Sequence, residues 1–283
     1  ISTRDWAILK ELPLAKDSSI GALGRPAWSE KIFIVINAHD QTLLKRYDPR
    51  NRVAEDAAPI GDFTTQAVAF PDAVPTMILS VIDAAKKPRL IIYDLKARKI
   101  VKDIPRDSWI DELRVAGNRV LGRYSPSGEV KSVVASVDVR DGSVRPIATI
   151  DNGIESLAVA DDLVWAIGRD PDRRQKSNDR GFFPRLVRSI RLDGSVDSVP
   201  WTQRDGRLFG YDGRTRRLFF AATQPAGVWT VSADKRSLSA AAQELDRTAG
   251  EFPRLQKLLL GFMVAGSVVL VILIRLMKFG GSE

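Results

Sequence analysis

Cysteine is absent from this 283-residue chain, and histidine occurs once, as His39. The first absence excludes a disulfide framework, a thiolate zinc site and a cysteine nucleophile. The second excludes a multi-histidine metal centre. Phosphate-cradling glycine loops, a Walker lysine motif and a dinucleotide fingerprint are missing too, which removes the common nucleotide-binding classes. Ser125-Pro126-Ser127-Gly128 lacks the elbow pattern of a hydrolase nucleophile, and His39-Asp40 has no nucleophile to complete it. His39 therefore reads as a surface loop residue. No cofactor and no metal are assigned.

What is present describes a folded, basic chain. Hydrophobic residues make up 44% and charged residues 28%, which excludes wholesale disorder. The net charge of +8 and pI near 9.8 favour anionic partners. No nucleic-acid motif accompanies the charge, so DNA and RNA are set aside in favour of acidic proteins and anionic lipid.

The longest uncharged run is LLLGFMVAGSVVLVILI, from Leu258 to Ile274, flanked by Arg254, Lys257, Arg275 and Lys278. A helix needs about 20 residues at ~1.5 Å each to cross a ~30 Å hydrocarbon core. Residues 255–278 supply that length if the flanking cations extend toward the interfaces. They are expected to form one transmembrane helix, with Gly261 and Ala265 as a small-residue packing pair. Residues 240–254 read as a stalk and residues 279–283 as a short tail. Basic residues flank both ends of the span, so charge bias decides little about orientation. The chain begins at Ile1, which favours a processed export substrate with its globular part in the bacterial periplasm. A cytosolic, tail-anchored arrangement is the alternative.

Residues 1–239 carry an internal repeat. Five segments combine an apolar strand, a polar turn and a second short strand: residues 43–54, 90–101, 133–145, 186–197 and 228–239. They recur roughly every 42 to 52 residues, the period of propeller blades. Asp141-Gly142 and Asp193-Gly194 read as two-residue hairpin turns. Upstream of the last three hairpins, two more strands can be read: residues 111–118 with 119–125, 155–162 with 163–169, and 205–214 with 217–223. Each unit thus offers four strands.

By period and hairpin pattern, residues 5 to 240 resemble the bacterial β-propeller superfamily of WD-repeat, quinoprotein-like and YVTN-type families. No Trp-Asp signature appears, so the resemblance implies a fold and no activity. The expected fold class is all-β, a propeller of about five four-stranded blades followed by the C-terminal helix. Six blades with degenerate ends is the alternative. A lone strand at residues 6–12 is expected to close the ring by joining the sheet made by residues 206–232. Residues 237–242 are a second candidate for that outermost strand.

Two places are candidates for function. Aligned inner strands put Asp111, Glu155 and Asp205 at one register near a channel mouth. Three convergent carboxylates suit cation binding or acid–base catalysis, while polar caps on strand ends are the plainer account. The longest irregular stretch, residues 169–185, holds Arg173, Arg174, Lys176 and Arg180 with Phe182 and Phe183 at its tip. Basic charge beside paired aromatics suits an acidic protein surface or anionic headgroups. The expected function is a membrane-anchored, non-enzymatic scaffold or accessory subunit of a membrane complex, binding through propeller loops. The alternative is a membrane-tethered hydrolase or glycan- or cation-binding domain using the channel-mouth carboxylates.

Overall fold

The structure is a computed structural model describing residues 14–127, 129–151, 153–160, 163–169, 185–201, 207–212, 214–223 and 226–233. The expected stalk, span and tail, the strand at residues 6–12, the basic loop and Asp205 lie outside the described residues. Among the described residues no helix is long and apolar enough to cross a membrane.

Among the described residues twenty strands form five antiparallel sheets, each running through consecutive strands. The first contains β1 (Ser18–Gly24), β2 (Ile32–Ala38) and β3 (Gln41–Asp48), with β4 (Val53–Ala54) and β5 (Ala58–Gly61) both on β3. The second is β6 (Phe63–Ala69), β7 (Thr76–Asp83), β8 (Pro88–Asp94) and β9 (Lys99–Pro105). The third is β10 (Ile110–Ala116), β11 (Arg119–Tyr124), β12 (Lys131–Val137) and β13 (Val144–Asp151). The fourth is β14 (Ile154–Ala160), β15 (Leu163–Arg169), β16 (Arg185–Arg191) and β17 (Val196–Trp201). The fifth, among the described residues, has three strands: β18 (Arg207–Asp212), β19 (Arg217–Thr223) and β20 (Ala226–Ser232).

The sheets stack face to face, which explains their composition. β7 reads TMILSVID, with Met77, Ile78, Leu79 and Val81 all fully buried. A strand covered on both faces needs a continuous apolar run instead of alternation. Between each successive pair of sheets lies one apolar cluster. Phe33, Val35 and Leu44 meet Met77, Leu79 and Ile91 between the first two sheets. Trp165 and Ile167 meet Leu218 and Phe220 between the last two. Outer strands have the opposite character. β9 is exposed along nearly its whole length, and Lys99, Lys102 and Pro105 blunt its edge against pairing with other chains.

First strands pack beside one another in chain order: β1 on β6, β6 on β10, β10 on β14 and β14 on β18. Among the described residues β18 and β1 make no comparable contact. This gap is a seam between the fifth and first sheets.

Each first strand carries one extra residue against its partner: Gly21, Gln66, Asp111, Glu155 and Phe209. A bulge sharpens local twist and re-aims the following side chains. Asp111, Glu155 and Phe209 lie toward the end where the first strands begin, the mouth end, while Gly21 and Gln66 are central. The opposite end is the turn end.

The two Asp-Gly pairs differ from the expected two-residue turns. Gly142 closes a longer loop, with Gly142 N–H donating to the Asp138 carbonyl at 3.0 Å. Around Asp193-Gly194, Arg191 N–H donates to the Ser195 carbonyl at 3.0 Å, leaving three residues in the loop. Gly142 and Gly194 serve these loops through φ of 76° and 88°, where other residues are strained.

Candidate interaction surface

At the mouth end, Asp111 and Glu155 occupy equivalent bulge positions on β10 and β14. Counted from the bulges, β18 offers Phe209 at that place. Asp205 precedes it by four residues and lies outside the described residues. The other two bulges hold Gly21 and Gln66, so two carboxylates share the bulge position among the described residues.

Asp111 is already engaged. Its Oδ1 accepts from Trp109 Nε1 at 2.6 Å, and its Oδ2 lies 3.4 Å from the Arg123 guanidinium. Arg123 also donates to the Ile154 carbonyl at 2.8 Å, reaching into the next sheet. Glu112 reaches the same way, accepting from Leu157 N–H at 3.1 Å. Glu112 also pairs with Arg114 and lies 3.7 Å from Arg123 Nε. Asp111, Glu112, Arg114 and Arg123 therefore form a polar joint between the third and fourth sheets. Glu155 is exposed. Among the described residues no group of three or more His, Cys, Asp or Glu side chains is placed to hold a metal ion.

His39 sits exposed with Asp40 in the tight turn between β2 and β3, at φ 53°. Arg169 and Arg185 pair across β15 and β16, so residues 170–184 depart at the mouth end. Arg173, Arg174, Lys176, Arg180, Phe182 and Phe183 lie outside the described residues, as do Leu258, Gly261, Ala265 and Ile274.

The turn end holds a pattern that hairpin counting misses. Four turns begin with an aspartate whose carboxylate accepts from the N–H two residues on. Asp48 takes Arg50 at 2.9 Å and Asp94 takes Lys96 at 2.8 Å. Asp138 takes Arg140 at 2.7 Å and Asp212 takes Arg214 at 3.0 Å. Such a bond fixes the turn and leaves the residues between pointing outward. Four residues after each aspartate the backbone turns left-handed, at Arg52 (φ 56°), Arg98 (φ 53°), Gly142 (φ 76°) and Arg216 (φ 50°). The signal was present in the sequence as YDPRNR, YDLKAR, VDVRDG and YDGRTR.

Electrostatics follows from these bonds. The Asn51 N–H holds the Asp48 carboxyl below its ordinary value, and the Thr215 hydroxyl does the same for Asp212. Asp141 and Asp193 are lowered by Ser143 and Ser195 respectively. Glu55 is lowered chiefly by its hydrogen bond from Lys31, then by Arg46.

No family model matches the sequence, and no curated protein matches it. Solved structures do. The β-propeller domain of Cps50 (Swd1) from Myceliophteria thermophila is 12% identical, with a TM-score of 0.51 over 72% of this chain and 67% of that one. Raptor from Chaetomium thermophilum is 8% identical, with a TM-score of 0.53 over 78% of this chain and 20% of that one. TolB from Acinetobacter baumannii is 15% identical, with a TM-score of 0.49 over 73% of this chain and 50% of that one. Identities this low speak to architecture alone. The Cps50 and Raptor matches, together with the face-packed, up-and-down sheets of the described residues, define the chain's fold as a β-propeller.

Proposed function

We propose that the chain is a membrane-anchored β-propeller acting as a non-enzymatic scaffold or accessory subunit of a membrane complex, binding through its loops. The observation that carries this reading is the commitment of the mouth-end carboxylates. Asp111 and Glu112 spend their oxygens on Trp109, Arg114, Arg123 and a backbone N–H, and so tie two blades together. An acid–base pair must instead reach a substrate proton directly. The hydrolase or ligand-binding alternative loses one of its three carboxylates to this structural work.

Two sequence features complete the proposal. Residues 255–278, which contain the apolar run from Leu258 to Ile274, are long enough to anchor the domain, with residues 240–254 as the stalk. Residues 170–184 leave the rigid fourth sheet as its longest insertion, and binding often resides in such loops. Arg173, Arg174, Lys176 and Arg180 suit an acidic partner subunit, with Phe182 and Phe183 as apolar anchors. In this reading the domain is extracytoplasmic.

The test is purification of the full chain in mild detergent, alongside a variant with those four cations replaced by Ser. A stoichiometric set of membrane subunits that co-migrates with the native chain, and dissociates from the variant at raised salt, supports the scaffold. A lone monomer that cleaves a glycan overturns it.

A further inference from the structure

We infer that the turn end of the fifth, first and second sheets is a bilayer-facing surface that binds anionic phospholipid headgroups. The inference rests on the anchor proposed above, and adds which end of the propeller meets the membrane.

Its first support is an asymmetry among the turns. In the first, second and fifth sheets one carboxylate anchors each turn beside two exposed cations, Arg50 and Arg52, Lys96 and Arg98, Arg214 and Arg216, of which Arg50 pairs with Glu30 and Arg98 with Glu55. The third sheet meets the same turn geometry with Gly142, and the shorter turn of the fourth uses Gly194. A left-handed backbone favours glycine, because a Cβ there crowds the following carbonyl. Arg52, Arg98 and Arg216 thus stand where the fold itself is better served by glycine. The same left-handed backbone occurs at Asp17, His39 and Lys86 toward the mouth end, so what sets this end apart is the paired cations and not the strain.

Position is the second support. The three turns belong to the two sides of the seam and the sheet next to it. Ala233, the last described residue, donates its N–H to the Arg216 carbonyl at 2.7 Å, so the chain arrives beside this basic sector. Residues 234–257 separate that point from the apolar run. Supply of the fifth sheet's fourth strand by residues 6–12 lets the chain continue from here toward the bilayer. Supply by residues 237–242 returns it to the mouth end.

Composition favours lipid over an acidic protein. Trp28, Val53, Ile100 and Val101 are exposed at or beside this end of the first and second sheets, Val53 to 57%. Tryptophan and aliphatic side chains interleaved with Arg and Lys suit the zone where headgroups meet acyl chains. Each cation near an anionic surface biases contact about fivefold, and salt screens that bias. The basic loop at the mouth end then points away from the bilayer, toward soluble parts of partner subunits.

The lack of cysteine makes the test direct, because one introduced thiol reports one place. The full chain carrying Ala97→Cys at the turn end, or Ser127→Cys at the mouth end, is fluorescently labelled. Each is reconstituted in phosphatidylcholine vesicles with or without phosphatidylserine, and with a headgroup-borne quencher. Severalfold stronger quenching at position 97 than at 127, dependent on phosphatidylserine and falling with salt, is expected. The triple variant Arg52→Gly, Arg98→Gly, Arg216→Gly loses that difference, and because Arg98 also pairs with Glu55 it is expected to unfold no earlier than Arg98→Gly alone. Extraction of the chain from neutral vesicles by alkaline carbonate removes the anchor and this inference together. An anchored chain with equal quenching at both sites, or more at 127, overturns the face assignment alone. An anchored chain with no phosphatidylserine dependence at 97 also overturns it, and gives this end to an acidic protein.

Discussion

Arg98, in the turn of the second sheet, reaches 3.3 Å to Glu55, which follows the outer edge of the first. That carboxylate already holds Lys31 at 2.8 Å and pairs with Arg46. One acid thus gathers three cations across a blade boundary. Glu55 is about one-third exposed, so solvent screens each pair, and the network carries more than any single bridge.

Replacing Glu55 with Gln should lower stability by about 1 kcal/mol, an effect that weakens in high salt. The pH dependence has a definite sign. The folded pKa of Glu55 is depressed by Lys31 and then Arg46, so its contribution is complete above the unfolded carboxylate value of about 4. It is lost as pH falls through the lower folded value. Asp48, Asp141, Asp193 and Asp212 are depressed by their turn bonds and act in the same direction. Thermal unfolding followed from pH 7 down to about 3 should show a steeper fall below pH 4 in the native chain than in Glu55→Gln. Parallel curves count against the network.

The joint between the third and fourth sheets should be costlier to break. Arg123 and Glu112 are only 16% and 13% exposed as side chains. Arg123→Met leaves the Ile154 carbonyl without its guanidinium donor and removes a cation beside Asp111 and Glu112. A loss of about 2 kcal/mol is expected in denaturant unfolding, because a stranded, partly buried charge costs more than an exposed pair. A change within about 0.5 kcal/mol, the usual range for surface substitutions, shows that water replaces the arginine at little cost.

The sequence exposed the repeat because apolar strand runs, polar turns and a fixed spacing recur together. Residues 119–124 and 163–169 form the expected strands, each pairing with the strands on either side. Bulges were not legible. One extra residue shifts the alternation without leaving a compositional mark, so Asp111 stood out while Glu112 did not. Yet Glu112 is the residue that bonds across to the fourth sheet. The anchored turns were legible as repeated Asp-x-Arg/Lys strings, but their purpose depends on which ends share a side, and that is a property of topology. Only Asp111 and Glu155 among the candidate site residues fall within the described residues, and pairing partners explain Asp111 better than convergence does.

For the mouth carboxylates a negative result is expected. Replacing Asp111 with Asn, Glu155 with Gln and Asp205 with Asn together should leave the cellular role intact. Asn retains an acceptor for Trp109 Nε1, so the local bond survives. The check is complementation of a deletion strain with matched protein levels and unchanged unfolding. Loss of the role in a normally folded triple variant promotes the enzymatic or cation-binding reading.

Closure of the ring tests the other half of the architecture. Three sheets have four consecutive strands, while the fifth has three among the described residues, leaving β20 at its outer edge. Elsewhere a short link carries the chain from an outer strand to the next first strand. Four residues (106–109) lie between β9 and β10, two (152–153) between β13 and β14, and five (202–206) between β17 and β18. Five residues (13–17) separate Leu12 from Ser18, within that range. At the near end of this link, Ser18 N–H donates to the Ala15 carbonyl at 3.3 Å in a turn with Asp17 at φ 62°. β1 also keeps Ile20 and Leu23 54% and 64% exposed on the seam side, where β10 and β14 bury the equivalent Ile110, Leu113, Ile154 and Leu157. Deleting residues 1–12 should therefore lower the unfolding temperature far more than trimming a tail, because an edge is opened and Trp6, Ile8 and Leu12 lose their packing. The shortened chain should also gain a tendency to associate through the bared edge, read as a salt-insensitive rise in apparent size with increasing protein concentration. An unfolding temperature equal to that of the full chain shows that residues 237–242, or nothing, complete the fifth sheet. Completion by residues 237–242 also sends the chain exit to the mouth end and weakens the bilayer-facing assignment of Arg52, Arg98 and Arg216.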